Sequence, residues 1–365
     1  MNKSTNSLSL RAWLEVDLGN LVSNARAVLQ AARGARLLPM VKADGYGLGA
    51  VRVALALEAV DPWGFGVATI DEGIELREAG VSRPILVFTP ATVDFLNPFR
   101  QHDLTAVLDT LESISVWDAP FHLEIDTGRG RTGVTWDDTA LLMKVRSRYM
   151  QGAFTHFHSA DERPETVPHQ LSRFQEALGA LPSRPEFVHA ANSTGVWVAS
   201  ETLDLVRPGI FLYGGSIADH LPEPRSVVSL RAPIVSLREI SRGDSVSYGA
   251  AWKAQSDTVV ATLGAGFADG VPRSLFGQGQ VIVAGTRCPI VGRVTMDLTM
   301  IDVGSLAPGS VRVGSTATLL GAAGEDEISL AEFAGWAVTN TYEVLVRLNS
   351  RAERRYLPDL SKAQA

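Results

Sequence analysis

Residues 37–60 read LLPMVKADGYGLGAVRVALALEAV: an apolar run, a glycine-rich loop and then a helical pattern. A short apolar run bounded by turn residues is typical of a buried strand, and apolar spacing of three and four residues is typical of a helix. The glycines are spaced as DGYGLG, which is not the G-x-G-x-x-G turn that binds dinucleotides. The stretch therefore predicts a strand, a loop and a helix of an α/β fold without the Rossmann signature.

The same unit recurs between about Trp13 and Tyr213. The later apolar runs, with helical patterns between them, are WGFGVA (63–68), PILVFTP (84–90), TAVLD (105–109), HLEIDTG (122–128), GAFTHFH (152–158) and FVHAANS (187–193). Alternating strands and helices predict a parallel sheet. About eight such units in roughly 200 residues fit a closed (β/α)8 TIM-type barrel better than an open sheet. We therefore assign residues 12–225 to a barrel.

A different pattern begins after LPEPRS (221–226). The chain now carries β-branched runs: SVVSLRAPIVSLREI (226–240), DTVVATLGAG (257–266), GQVIVAGTRCPIVGRV (279–294), TMIDVG (299–304) and STATLLG (315–321). Such runs between turn residues predict strands. Only DEISLAEFAGWAV (326–338) predicts a helix in this half. We assign residues 226–365 to a mainly β C-terminal domain.

Composition narrows the class of protein. The 365 residues carry a net charge of -7 and no basic cluster longer than RAERR (351–355), so binding to nucleic acid is not expected. No apolar stretch is long enough to span a membrane, and the N-terminus alternates too early to be a signal peptide. The single cysteine, Cys288, fits a reducing compartment and gives little support to a catalytic thiol. We expect a soluble, cytoplasmic protein.

Lys42 is the first candidate for chemistry. It lies where the apolar run LLPMV meets the glycine-rich loop, at the carboxyl end of an early strand. That end of a barrel carries the active site in enzymes of this fold. A partly desolvated lysine has a lowered pKa and forms imines with aldehyde cofactors. Taken alone, the pattern also fits a surface lysine that caps a strand.

Several motifs follow the order found in one enzyme family. VKADGYGLG (41–49) resembles the lysine motif of alanine racemases. Counterparts of later family motifs follow, so that the similarity runs from about Trp13 to Arg347: HLEIDTGRGRTGV (122–134), THFHSAD (155–161), HAANSTG (189–195), VRPGIFLYG (206–214), SVSYGAAW (245–252), GFADGVPR (266–273), GRVTMDLTMIDV (292–303) and NTYEVLV (340–346). The resemblance implies pyridoxal phosphate as cofactor, Lys42 as its Schiff-base lysine, and interconversion of L-alanine and D-alanine for cell-wall peptidoglycan.

The resemblance also implies the remainder of the cofactor site. Arg207 matches an arginine that faces the pyridine nitrogen, where its fixed charge disfavours ring protonation. The phosphate is expected to bind hydroxyl or backbone N–H groups of Tyr46, Ser193, Gly209, Ile210 and Tyr342. Without the family, Ser193 also fits a helix N-cap, and Arg207 also fits a salt bridge that closes the barrel.

Racemisation needs one base on each face of the reacting carbon. The resemblance assigns Lys42 to one face and Tyr248, in the β domain, to the other. His156 matches a residue that contacts this tyrosine and the cofactor site, and Arg207 and Arg273 would extend the network. In this family the two bases meet across a two-fold interface, so the resemblance implies a homodimer with shared active sites.

Substrate recognition follows from the same resemblance. Arg131 and the backbone N–H of Met296 are expected to bind the substrate carboxylate. Glu124 stands where many members have a carbamylated lysine, so its carboxylate would orient Arg131 without that modification. Phe267 replaces a tyrosine common in the access channel, and Thr295 stands where a cysteine is frequent.

Alternatives remain at this point. A racemase of broader specificity, acting on serine or other small amino acids, fits the same motifs because one hydroxyl is weakly discriminated. A decarboxylase of the same fold would need a cysteine-bearing acidic motif, which GTRCPIV (285–291) does not provide. A metal-dependent aldolase would need late ligands, yet no histidine follows His220, and we expect no metal. A non-catalytic cofactor carrier would resemble the barrel alone.

Overall fold

Eight parallel strands close into a barrel between Leu21 and Arg225. This computed structural model describes residues 10–348 and 351–358. Its barrel strands are Arg36–Leu37, Phe65–Val67, Ile85–Val87, Ala106–Leu108, Phe121–Asp126, Met150–Phe154, Phe187–Asn192 and Leu205–Arg207. The last strand pairs in parallel with the first. Single bridges at Met40–Gly66 and Leu86–Thr105 complete the ring. The predicted (β/α)8 barrel is confirmed.

The barrel strands are buried on both faces, and for this reason they appear in the sequence as continuous apolar runs. Every residue of Phe65–Val67, Ile85–Val87 and Ala106–Leu108 is buried. Parallel strands covered by helices have this continuous apolar character. The helices of this part of the chain are Leu18–Ala31, Ala50–Leu57, Ile70–Glu78, Leu96–Gln101, Leu111–Val116, Thr139–Leu142, Val167–Ala180 and Gly195–Val198, and Lys42–Tyr46 forms a left-handed turn.

The second unit is built around one long strand, Val228–Ile240. Its first half pairs with Trp13–Asp17 and Thr316–Ala323, and its second half pairs with Thr258–Leu263. The other strands of the unit are Ser245–Val246, Trp252–Lys253, Gln280–Val283, Thr286–Pro289, Thr299–Asp302, Asp326–Ile328 and Glu353–Leu357. This is the mainly β architecture that the sequence predicts.

The strand Trp13–Asp17 differs from its predicted assignment to the barrel. It pairs with Val228–Ile240 and, in parallel, with Glu353–Leu357, and so belongs to the β unit. Its residues alternate between buried and partly exposed positions. Leu14 and Val16 are buried, and the Glu15 carboxylate accepts a hydrogen bond of 2.5 Å from Arg231 on the paired strand. Alternation suits a sheet with one solvated face, whereas the barrel strands are buried throughout.

The β unit also contains a helix that the sequence analysis missed. Thr341–Arg347 is helical, and its cap Asn340 accepts the Glu343 N–H at 2.9 Å. The predicted helix over 326–338 is shorter, because Asp326–Ile328 is a strand and the helix Leu330–Ala337 starts after the cap Ser329. Among the described residues, no helix combines the length and apolarity needed to cross a bilayer.

Polar groups lie inside the barrel beside an apolar cluster. The cluster consists of Leu38, Trp63, Leu86, Val107, Phe154 and Leu205. His122 and His189 are fully buried, and Arg207 is 3% exposed. Buried polar side chains are costly unless they are hydrogen-bonded, so this group requires an explanation in terms of function.

Gly152 provides a test of how tightly this interior is packed. It pairs with His122 on the next strand, and a Cβ at Gly152 would lie 2.4 Å from the His122 Nδ1. We expect Gly152→Ala to lower the free energy of unfolding by about 2 kcal/mol, because the ring must move. Gly179→Ala is the control, since a Cβ there meets nothing within 4 Å in the helix Val167–Ala180. If urea titration gave Gly152→Ala a free energy of unfolding equal to or higher than that of Gly179→Ala, the result would contradict this packing.

Candidate active site

Lys42 begins a left-handed turn at the carboxyl end of the first barrel strand. The φ angles of Ala43, Asp44, Gly45 and Tyr46 are 52°, 54°, 61° and 55°. This conformation costs roughly 1–2 kcal/mol for each residue that has a Cβ. Such strain persists only where surrounding contacts impose it, and it is concentrated at functional sites.

Glu72 is the residue that holds this turn. Its two carboxylate oxygens accept the N–H groups of Ala43 and Ala68, each at 2.7 Å. Glu72 is also the third residue of the helix Ile70–Glu78, where it completes a capping box with Thr69. The T-x-x-E pattern could have indicated this helix start. Nothing in the pattern indicates the bond to Ala43, so sequence reasoning missed its link to Lys42.

The surroundings of Lys42 make it a better nucleophile than an exposed lysine. Burial lowers the pKa of its amine, and the positive charges of Arg131 and Arg129 lower it further, against the opposing charge of Glu72. A larger fraction of the side chain is therefore neutral at a given pH. This agrees with the desolvated lysine expected from the sequence.

Arg207 is buried and held by neutral acceptors. Its guanidinium donates to the Thr155 carbonyl at 2.8 Å, to the Ala190 carbonyl at 3.0 Å and to His189 Nδ1 at 2.7 Å. His156 Nδ1 lies 3.4 Å away. Within the part of the chain that the structure describes, Arg207 forms no salt bridge, so the proposed barrel-closing ion pair is absent there. Burial lowers the pKa of Arg207 to about 9, although Glu124 opposes this.

His189 and His122 extend the contact of Arg207 into the barrel. A guanidinium can only donate, so His189 Nδ1 accepts and the ring proton of His189 lies on Nε2. That N–H donates to His122 Nδ1 at 2.8 Å, which leaves the His122 proton on Nε2. Among the described residues this last group has no partner. Both histidines were missed, because a single histidine in HLEID or FVHAAN does not differ from an ordinary strand residue.

All three histidines around Arg207 are kept neutral. Burial, assisted by the charge of Arg207, lowers the pKa of His122 to about 3. The same two causes lower the pKa of His189 and His156 well below the ordinary value. A neutral ring can accept from Arg207, whereas a protonated one would repel it.

A second group of predicted residues surrounds Gly209. Ser193 Oγ accepts the Gly209 N–H at 2.9 Å and the Phe211 N–H at 3.4 Å. Ser193 does not cap a helix, because the cap of Gly195–Val198 is Thr194. A Cβ at Gly209 would lie 2.2 Å from the Tyr46 hydroxyl. The Gly209 N–H is thus already bonded, whereas the Ile210 N–H finds no acceptor within residues 10–348 and 351–358.

Glu124 lies beneath the loop that carries Arg131. Its side chain is buried, and its Oε2 has no hydrogen-bond partner among the described residues. Burial raises the pKa of this carboxyl, while a hydrogen bond with Thr132 and the charge of Arg131 lower it. The loop is fixed by Asp126, whose carboxylate accepts the N–H groups of Gly128, Arg129 and Gly130 at 2.7 to 2.9 Å.

The remaining predicted residues lie in the β unit. Tyr248 is 73% exposed and, with Thr295, lines an open cavity of about 760 Å³. Met296, Phe267 and Tyr342 are also exposed. Phe267 and Arg273 line another cavity of about 710 Å³. The predicted site residues therefore fall into two groups, one in each unit.

Two family models match this chain. The alanine racemase N-terminal domain model matches residues 16–217, and the C-terminal domain model matches residues 227–356. The chain belongs to the alanine racemase family. An alanine racemase of Carboxydothermus hydrogenoformans is 34% identical over 94% of this chain and 99% of its own length. One from Limosilactobacillus fermentum is 37% identical over 94% of this chain and 97% of its own length.

Solved alanine racemases have the same fold. The enzyme from E. faecalis superposes with a TM-score of 0.87 at 32% identity, over 94% of this chain and 98% of that one. The enzyme from a D-cycloserine-producing Streptomyces lavendulae gives 0.89 at 30% identity, over 98% and 100%. A structure from Bartonella henselae, at 0.88 and 27% identity over 96% and 100%, contains covalently bound pyridoxal phosphate.

The local surroundings of three further residues, His158, Cys288 and Thr295, indicate structural roles in this alanine racemase family member. His158 is exposed and bonded to the Ser159 hydroxyl at 2.8 Å. Burial raises the pKa of the Cys288 thiol to about 11, which disfavours a nucleophilic thiolate. Thr295 Oγ donates to the Leu298 carbonyl at 3.0 Å, which closes a turn.

The neutral histidines predict a dependence of stability on pH. The pKa of His122 is about 3 in the folded protein and near 6.5 in the unfolded chain. Its contribution to the free energy of unfolding is therefore complete above pH 6.5 and is lost as the pH falls towards 3. We expect this one group to cost about 2 kcal/mol of unfolding free energy between pH 8 and pH 5. His122→Asn keeps an acceptor for His189 and does not titrate. In urea titrations it should lose about 2 kcal/mol less than wild type over this range.

The exposed His169→Asn is the control for this measurement, and it should retain the pH dependence of the wild type. Equal losses in wild type and His122→Asn would show that His122 is protonated in the folded protein.

Proposed function

We propose that this chain interconverts L-alanine and D-alanine with pyridoxal phosphate, using Lys42 and Tyr248 as its two bases. The observation that carries the proposal is Arg207, a buried cation held by carbonyls and neutral histidine, in the barrel that also holds Lys42. Enzymes that protonate the cofactor ring place a carboxylate at its nitrogen, and a fixed cation does the opposite.

The residues of the barrel fit the three reactive parts of the cofactor. Lys42 offers an amine of lowered pKa to the aldehyde. Arg207 offers its charge to the ring nitrogen. The Ser193 hydroxyl and the Ile210 N–H offer donors to the phosphate, beside Gly209, where a side chain would meet the Tyr46 hydroxyl. Tyr342 of the β unit is proposed as a further phenolic donor.

The bases act on opposite faces of the substrate α-carbon. The bound cofactor supplies an electron sink that makes the α-proton of alanine acidic. Lys42, whose pKa is lowered by burial and by the charges of Arg131 and Arg129, accepts or returns the proton on one face. Tyr248 acts on the other face, supported by His156, Arg207 and Arg273. Arg207 favours return of the proton to the same carbon, because its charge keeps the electron sink moderate.

The substrate carboxylate binds Arg131 and the Met296 N–H in this proposal. Glu124 orients Arg131, the role that the family resemblance gives to this position. This role is supported by the burial of Glu124, by its position beneath the Arg131 loop and by its Oε2 atom, which has no hydrogen-bond partner in the described part of the chain.

We further propose that the active enzyme is a homodimer, in which Tyr248 of one chain completes the site of the partner. The 73% exposure of Tyr248, in a unit separate from that of Lys42, supports this. We infer a cytoplasmic location from the single buried cysteine, and a supply of D-alanine for peptidoglycan as the purpose. A relative from Pseudomonas aeruginosa is described as a biosynthetic alanine racemase.

The primary test is formation of D-alanine from L-alanine. We expect the purified protein with pyridoxal phosphate to form it, and Lys42→Ala to lose activity by a factor of at least about 10³. Borohydride should no longer fix the cofactor to this variant. The exposed Lys253→Ala should behave as wild type. Cofactor fixed to Lys42→Ala would mean that another lysine binds it.

Mixing two inactive variants tests whether the sites are shared. Lys42→Ala and Tyr248→Phe, exchanged under mild denaturant, should regain up to half of the wild-type activity per heterodimer, since one of its two sites then carries both intact bases. Isolated heterodimers that stayed inactive would show that both bases come from one chain. Two copies of the same variant, treated identically, give the background.

Glu124 can be tested through the difference between substrate and cofactor affinity. We expect Glu124→Ala to raise KM for alanine about tenfold, because a carboxylate that interacts electrostatically with Arg131 is removed, with pyridoxal phosphate affinity changed less than about twofold. The exposed Glu112→Gln is the control. A variant with lowered cofactor affinity and unchanged KM would contradict the role assigned to Glu124.

A further inference from the structure

Asp269 is a carboxylate buried among donors from distant parts of the chain. It is fully buried, in the turn Phe267–Asp269 of the β unit. Its oxygens accept from Arg351 Nε at 2.9 Å, Arg351 Nη2 at 3.0 Å, Arg11 Nη2 at 2.7 Å and the Gly266 N–H at 2.9 Å. Burial by itself would raise the pKa of this carboxyl, but these donors outweigh burial, so the pKa lies below its ordinary value.

The Asp269 turn is bonded along its length to the turn that carries Met296. The Phe267 N–H donates to the Thr295 carbonyl at 2.9 Å, and the Ala268 N–H donates to the Met296 carbonyl at 3.0 Å. A Cβ at Gly266 would lie 2.4 Å from both of these carbonyl oxygens, so only glycine permits the approach. The two turns thus form one block.

This block determines where the Met296 N–H points. The Thr295 carbonyl and the Met296 N–H belong to one planar peptide group and point in opposite directions. Because the carbonyl is bonded to Phe267, the N–H is directed away from the Asp269 turn. Within the part of the chain that the structure describes, it donates to no backbone acceptor.

Two arginines join both turns. Arg351 binds Asp269 with one edge and contacts the Asp297 carboxylate with Nη1 at 2.8 Å. Arg11 binds Asp269 and donates to the Asp297 carbonyl at 3.2 Å. Each guanidinium therefore joins Asp269 to Asp297, the residue that follows Met296.

We propose that Arg11 and Arg351, acting through Asp269, are positioning residues that aim the Met296 N–H at the substrate carboxylate. The inference rests on the proposed function, since it takes Met296 as a substrate ligand. It assigns a role in substrate affinity to residues near both ends of the described chain.

Arg351→Lys separates positioning from charge. Lysine keeps the charge, but its single nitrogen cannot reproduce a fork that spans Asp269 and Asp297. Arg287→Lys is a matched control in the same unit, since Arg287 also spans two carboxylates, Asp326 at 2.8 Å and Glu332 at 2.6 Å. Neither of these belongs to the Met296 turn.

The test uses the full chain loaded with pyridoxal phosphate. We expect Arg351→Lys to raise both KM for L-alanine and the inhibition constant of propionate about five- to tenfold, with kcat changed less than about twofold. Arg287→Lys should leave all three unchanged, whatever its effect on melting temperature. In the absence of substrate, amide exchange of residues 295–297 should be faster in Arg351→Lys only.

The outcomes are distinguishable from failure of the proposed function. A wild-type protein that forms no D-alanine would overturn the proposed function itself, and amide exchange would still report on the turn. With an active wild type, unchanged KM and propionate inhibition in Arg351→Lys would overturn the positioning role. So would equal changes in Arg287→Lys. If Arg351→Lys does not fold, Arg11→Lys is subject to the same expectations.

Discussion

The interior of the barrel is organised by a positive charge that has been taken out of water. A guanidinium is difficult to deprotonate and cannot accept a hydrogen bond, so every group that forms a hydrogen bond with Arg207 must offer a lone pair. The carbonyls of Thr155 and Ala190 do so directly. His189 can do so only in one tautomer, and this choice dictates the tautomer of His122. One buried charge thereby fixes the proton positions of two histidines, on the strands Phe187–Asn192 and Phe121–Asp126.

The same charge influences the region around Lys42. Burial and the charges of Arg131, Arg129 and Arg207 lower the pKa of the lysine, so three cations act on this end of the barrel against the charge of Glu72. A cationic concavity of this kind concentrates small anions, and both an amino-acid carboxylate and a phosphate ester are anions. The repulsion between these positive charges is unfavourable without a ligand. A dianionic ligand offsets it, because each of the charges then attracts the ligand.

Much of the architecture could be predicted because it depends on local patterns. Runs such as PILVFTP become strands buried on both faces, and Lys42 follows its strand as the apolar run predicts. Trp13–Asp17 was assigned wrongly, because its partners lie more than two hundred residues away. Glu72, His122 and His189 were missed for a related reason. The two histidines act through contacts between strands, which depend on strand register. Glu72 acts through a bond to a turn formed by a different segment. A short stretch of sequence does not show which distant segments will be in contact.

The pairing of Trp13–Asp17 with Glu353–Leu357 gives the chain an unusual order of assembly. The β unit is discontinuous, with the barrel inserted between its first strand and the remainder. During synthesis the barrel sequence emerges complete while that first strand still lacks both neighbours. The strand cannot form these pairs until the inserted domain has been translated, and until then Leu14 and Val16 lack the strands beside which they are buried. Glu353–Leu357, which is translated after the other described strands of the unit, forms the edge of the sheet beside Trp13–Asp17.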